Sequence, residues 1–147
     1  DFNKAIELKP QDSKAYTMCG AVYLKLKLYN KALTSFNKSI KLNPKDAEAY
    51  SGRGGVYAKC CKNKSRKCCE QMFKNLNKAV LLETKNSMHY NNRGVVYCRL
   101  GNYKEGIADF NKALKLDPKN KTAVISKEKA LEEYNSPSKL SNHPKPI

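Results

Sequence analysis

Acidic residues are scarce in this sequence. Thirteen Asp and Glu stand against 29 Lys and Arg, leaving a net charge of +16 and a pI near 9.6. A surface so unbalanced attracts acidic partners, whether nucleic acid, an anionic membrane or an acidic protein. A Lys-rich background spread over a solvated face gives the same count. Histidine is nearly missing too: His89 and His143 are the only two, and neither has a sequence neighbour suggesting a triad or a metal. There is no glycine-rich phosphate loop and no carboxylate pair in a recognisable context, so neither an enzyme nor a cofactor protein is expected. No apolar run approaches the ~18 residues that span a bilayer, and no secretory leader is visible. The chain opens on Asp1 within a helical-looking phrase and reads as a piece of something longer. Without a leader, and with vicinal cysteines, a reducing intracellular compartment, the cytoplasm, is expected.

What the sequence does have is a repeat. DFNKAIELKP (1–10) returns as SFNKSIKLNP (35–44) and DFNKALKLDP (109–118), with a weaker copy, NLNKAVLLET, at 75–84. Pro10 and Pro44 lie 34 residues apart, as do Thr84 and Pro118; the step from Pro44 to Thr84 is 40, or 34 plus six. A second phrase precedes each later copy: AYTMCGAVY (15–23), AYSGRGGVY (49–57) and HYNNRGVVY (89–97). Its trios Tyr16/Gly20/Tyr23, Tyr50/Gly54/Tyr57 and Tyr90/Gly94/Tyr97 share a four-then-three spacing, which is one stripe of a helix. Glycine costs about 1 kcal/mol in a helix interior. Its recurrence therefore predicts a place where another helix comes too close for a side chain. The first phrase is also helical in period, around Ala32, Phe36 and Ser39 and around Gly106, Phe110 and Ala113, and a Pro stops it. Two helices joined by a tight turn and repeated every 34 residues predict an all-α array of helical hairpins.

The order of these residues resembles the tetratricopeptide repeat (TPR). Tyr16, Tyr50 and Tyr90 stand at its Trp position, Gly20, Gly54 and Gly94 at its Gly, and Tyr23, Tyr57 and Tyr97 at its Tyr. Ala32, Met72 and Gly106 take the first small position, Phe36, Leu76 and Phe110 the aromatic, and Ser39, Ala79 and Ala113 the second small one. Pro44, Thr84 and Pro118 close the units. Departures are Cys19, Arg53 and Arg93 at the usual Leu, with Met72 and Thr84 in the middle copy. The resemblance implies an all-α TPR solenoid, a right-handed superhelix of about 3.5 repeats plus a capping helix. Its parts would be a partial repeat at 1–11, full repeats at 12–45, 46–85 and 86–119, and a cap at 120–135. The Pro-containing stretch 136–147 reads as an extended tail. The long stems of Arg53 and Arg93 are expected to cover apolar surface while the guanidinium reaches water.

The six surplus residues fall in KCCKNKSRKCCEQ (59–71), most simply at Lys62–Lys67, as a lengthened basic turn in the middle hairpin. Lys62, Lys64, Arg66 and Lys67 precede any acid there and could grip phosphates or an acidic protein. Cys60 and Cys69 fall in register with apolar residues of the other hairpins and are expected to fill the core, with Cys19 and Cys98 buried or groove-lining. A zinc site on Cys60, Cys61, Cys68 and Cys69 is disfavoured, because adjacent cysteines point apart and lack the C-x2-C knuckle. A Cys61–Cys68 disulfide is opposed by a reducing compartment.

The resemblance also implies where a ligand would lie, in a concave groove lined by the first helix of each repeat. The matching positions are Lys14, Thr17, Ala21 and Lys25, then Glu48, Ser51, Gly55 and Lys59, then Met88, Asn91, Asn92, Val95 and Arg99. A mixed polar groove with basic ends suits an acidic or polar peptide or a partner helix. The cationic side chains with which chaperone-binding relatives hold a C-terminal carboxylate are not at the equivalent positions, where Thr17, Ala21, Gly52, Met88 and Asn92 stand, so that mode is not expected. The expected function is thus a protein–protein interaction scaffold, a segment of a larger assembly. The alternative is a nucleic-acid-associated protein that binds phosphates through the 59–67 turn and surface lysines.

Overall fold

The computed structural model describes residues 11–60 and 66–136, and among them it contains seven α-helices and no strand. In chain order these are α1 (Ser13–Lys25), α2 (Tyr29–Leu42), α3 (Ala47–Cys60), α4 (Arg66–Leu82), α5 (Ser87–Arg99), α6 (Tyr103–Leu116) and α7 (Lys121–Asn135). They pair as hairpins α1–α2, α3–α4 and α5–α6, with α7 packed on the last. The chain divides into two compact units between Thr84 and Lys85. The first holds α1–α4, with its two hairpins stacked, and the second holds α5–α7.

The first helix of each hairpin, and α7, begins on a cap that the repeat places. Asp12 Oδ1 accepts from the amides of Lys14 and Ala15 at the start of α1, and Asp46 Oδ1 from Ala49 at the start of α3. Asn86 caps α5 through the amide of Met88, and Asn120 caps α7 through that of Ala123. Such caps satisfy amides that have no partner inside the helix.

The second oxygen of Asp46 does more. Its Oδ2 accepts from the hydroxyls of Thr17 (2.6 Å) and Ser39 (3.0 Å), which lie 2.7 Å from each other. One carboxylate thus caps α3 and ties it to both helices of the preceding hairpin. Asn120 repeats the device in the second unit, donating from Nδ2 to Ser87 Oγ at 2.7 Å. Replacing Asp46 with Ala removes a cap worth about 1 kcal/mol and strands two inward hydroxyls. Asp46→Ala is expected to lower the unfolding free energy in urea by about 2 kcal/mol, and Asp46→Asn, which keeps the cap, by less. A loss for Asp46→Ala below about 0.5 kcal/mol, the range of ordinary surface changes, would show that the cluster does not join the hairpins.

The glycines mark close approaches. A Cβ on Gly20 would lie 2.7 Å from the ring of Phe36, and one on Gly94 2.7 Å from the ring of Phe110. Gly52, on the next hairpin, faces the same Phe36 ring even more closely. In the first unit Ala32, Phe36, Ala49 and Val56 form a buried cluster, with Tyr23, Leu24, Tyr29, Leu33 and Ile40 packed around it. Cys69, Met72, Leu76 and Ala79 are buried in the second hairpin. In the second unit Val96, Tyr103, Phe110, Ala113, Ala123 and Ala130 are buried.

Two placements differ from expectation. Cys60 ends α3 and is exposed instead of filling the core; its register mate Leu26 is exposed as well, so this position lies past the packed part of the hairpin. Arg66 and Lys67 belong to the first turn of α4 and not to the connecting turn. Lys62 and Lys64 lie outside the described residues. So do 1–10 and 137–147, which hold the partial repeat and most of the tail.

Candidate functional site

The first helix of each hairpin carries the candidate partner surface. In the first unit α1 and α3 pack side by side. Lys14, Ala21 and Lys25 are exposed on α1; Glu48 and Lys59 are exposed on α3, where Ser51 and Gly55 are half-buried. Lys14 and Lys25 are eleven residues apart, about 16 Å along a helix. The same holds for Glu48 and Lys59. This face therefore has basic side chains at the C-terminal ends of both helices, the small residues Ala21, Ser51 and Gly55 beside the exposed Met18 in the middle, and a Lys and a Glu at the other end. Gly55 keeps that strip low: a Cβ there would touch Leu24 Cδ2 at 3.4 Å.

Thr17 is not part of the open face. It is buried, and its hydroxyl is taken by Ser39 and Asp46. Sequence register placed it in the groove, but the acceptor offered by Asp46 turns it inward.

In the second unit Met88 and Arg99 are exposed on α5, and Asn92 and Val95 are half-buried. Asn91, by contrast, is buried; its amide donates to Asn92 Oδ1 at 3.5 Å, and its own Oδ1 has no partner among the described residues. α7 packs on this helix and adds Ile125, which is 65% exposed and was not anticipated. Its register identifies it: Ile125 is 34 residues after Asn91 and 74 after Ser51, so it occupies the same groove position. With Met88 it gives this part of the face exposed apolar area.

Arg93 does not reach into water as its position suggested, whereas Arg53 is half-buried and bonds Asn37 at the surface. Arg93 is clamped by Asp109, Nε to Oδ2 at 2.7 Å and Nη2 to Oδ1 at 2.8 Å, with only 15% and 9% of the two side chains exposed. Hydrogen bonding to Asp109 raises the guanidinium's already high pKa, against the opposing effect of burial. The guanidinium also lies over the rings of Tyr90 and Tyr97. Arg53 holds the corresponding place in the second hairpin, but its partners are amides: Asn75 Oδ1 and Asn37 Oδ1, each at 2.7 Å.

Burial, helped by Glu133, pushes Cys98 up to about 11, and burial raises Cys19, so both stay protonated near neutral pH. Cys68 donates weakly to the carbonyl of Tyr57. No group of three His, Cys, Asp or Glu among the described residues is placed to hold a metal ion; Cys61, named with Cys60, Cys68 and Cys69 as a disfavoured zinc set, lies outside them. No helix among them is long and apolar enough to cross a membrane.

Hairpins with this order of Tyr, Gly, Tyr, small, aromatic and small residues define a class of repeat protein. The sequence profile of the tetratricopeptide repeat matches residues 13–46 and 89–120. The Arabidopsis OM64 TPR domain is 33% identical and superposes with a TM-score of 0.74, over 82% of this chain and 95% of its own. The chain belongs to the tetratricopeptide repeat family. The first TPR domain of human RPAP3 has a TM-score of 0.79 at 22% identity, over 91% of this chain and 99% of its own. The first TPR of Spaghetti (RPAP3), bound to the HSP90 peptide SRMEEVD, has a TM-score of 0.76, also at 22% identity, over 86% and 95%. At that identity the last two show a common fold alone. No curated protein sequence matches the chain.

Proposed function

We propose that this chain is a protein-interaction module whose first-helix face binds a peptide or a partner helix of acidic or polar character, as one part of a larger assembly. The observation that carries the reading is the face of α1 and α3. Ala21, Ser51 and Gly55 leave room along its middle beside the exposed Met18, and Lys25 and Lys59 stand exposed at one end with Lys14 and Glu48 at the other. A carboxylate-bearing ligand lying along this strip meets two cations at the Lys25/Lys59 end, while the small residues admit its backbone. Met88 and Ile125 add apolar contact area on the second unit's face. The relative solved with an HSP90 peptide shows that a chain of this fold can hold a short acidic segment.

The test is a display screen of short peptides against the whole chain, followed by calorimetry on the enriched sequences. Acidic peptides are expected to enrich, and Lys14→Glu/Lys25→Glu/Lys59→Glu is expected to weaken their binding at least tenfold while the helical circular dichroism stays unchanged. Enrichment of basic peptides only, or binding indifferent to the triple variant, would refute the reading.

A further inference from the structure

The first hairpin and its loop, residues 13–45, contain seven lysines and not one acid. The next acid is Asp46, and its two oxygens are engaged by the Ala49 amide and the hydroxyls of Thr17 and Ser39. Along the edge where α1 meets α2, two of the lysines sit over tyrosine rings. Lys31 Nζ is 5.8 Å from the centre of the Tyr23 ring, and Lys38 Nζ is 6.0 Å from that of Tyr16. Both pairs step by seven residues, 16 to 23 on one helix and 31 to 38 on the other, so the rungs lie about 10 Å apart.

The edge continues into the second hairpin of the same unit. Arg53 lies over Tyr50, 5.4 Å from its centre, and reaches back to Asn37, the residue beside Lys38. The comparison with Arg93 is the informative one. Arg93 meets a carboxylate, whereas Arg53, at the same place in its repeat, is held by two amides. Amides fix the guanidinium in position without neutralising it. Lys78, in register with Lys38, is exposed further along α4. Cations therefore recur along this edge, Lys31, Lys38 and Arg53 each over a tyrosine ring, with polar Thr34 and Asn37 exposed between them and no acid in the first hairpin to neutralise them. A charged phosphate backbone fits that pattern.

We propose that this Tyr-supported basic edge of the first unit is a docking surface for single-stranded nucleic acid, with the cations on its phosphates and the tyrosines holding the cations in place. It lies apart from the first-helix face and does not rest on the peptide reading.

The experiment is fluorescence anisotropy of the whole chain with a labelled single strand of about 16 nucleotides, between about 50 and 200 mM salt. Log affinity is expected to fall linearly with log salt. Lys31→Gln/Lys38→Gln/Lys78→Gln, which removes no buried core side chain, is expected to weaken binding at least tenfold at the lower salt and to reduce the slope by about 2, or ~0.7 for each lost phosphate contact, with the helical circular dichroism unchanged. Lys104→Gln/Lys115→Gln/Lys129→Gln removes the same charge from the second unit and is expected to leave affinity within about threefold, as loss of long-range attraction alone would do. The proposal fails if the two triple variants weaken binding equally, because the attraction is then only net charge. It fails too if there is no binding at about 50 mM salt. Competition by polyglutamate as effective as by unlabelled oligonucleotide would assign the edge to an acidic protein instead.

Discussion

Phe36→Ala is expected to lower the unfolding free energy by about 3–5 kcal/mol, the range for emptying a buried aromatic site. Phe36 is 1% exposed and is a shared element of the first unit. Its ring fills the space that a Cβ on Gly20 would take in its own hairpin and the space that one on Gly52 would take in the next. Truncation therefore opens a cavity between three helices, and the glycine backbones on two sides have no side chains with which to refill it. In a chain of this size the melting temperature should drop by roughly 10 °C. The reverse manoeuvre tests the same packing: Gly20→Ala adds helix propensity of about 1 kcal/mol but drives a methyl into the ring, and overpacking of that kind costs about 1–3 kcal/mol. Gly20→Ala should thus be neutral to destabilising, where an unpacked helix would gain. A Phe36→Ala loss below about 1 kcal/mol, or a stabilised Gly20→Ala, would mean that the hairpins are not packed through this ring.

The second large effect is at the Arg93–Asp109 clamp. Removing one partner of a mostly buried ion pair leaves an uncompensated charge, which costs about 3–5 kcal/mol in buried sites. Asp109→Ala is expected near the lower end, about 3 kcal/mol, because Arg93 keeps its contacts with the Tyr90 and Tyr97 rings. Arg93→Met/Asp109→Leu removes both charges and should recover most of the loss, since apolar replacement of such a pair is often close to neutral. Chemical denaturation of the wild type, Arg93→Met, Asp109→Leu and the double gives the coupling energy. If Asp109→Ala costs under 1 kcal/mol, or the double variant is no more stable than the singles, the clamp contributes nothing beyond side-chain packing. Arg53 offers an internal comparison: Asn75→Ala leaves a guanidinium that was never neutralised, so its cost should be distinctly smaller than that of Asp109→Ala.

Much of this organisation is visible in the unfolded text. The hairpins, their stops at Leu42, Leu82 and Leu116, and the close approaches at Gly20 and Gly94 follow from periodicity and from the cost of glycine in a helix. The middle hairpin is an instructive case. The family profile passes over it, and its 40-residue step, Met72 and Thr84 depart from the repeat. Even so, α3 and α4 form, and Met72 is fully buried at the small-residue position. A flexible thioether can occupy a site built for a smaller group when the facing side chains leave room. The N-caps found in the structure recur with the same period, as Asp or Asn two residues past each closing Pro or Thr, at 12, 46, 86 and 120.

Amino-acid order alone determined the helices, their pairing as hairpins and the buried stripe, because those depend on spacings of three, four and thirty-four residues that any reader can count. Only the folded structure decided which polar groups meet: Thr17 turned inward to Asp46, Arg93 locked to a carboxylate, Arg53 held by amides, and Cys60 left outside. The physical reason is reach. A periodic pattern assigns a residue to a face, but a hydrogen bond closes only when donor and acceptor on separate helices come within about 3 Å, and that distance is set by packing between segments far apart in the chain.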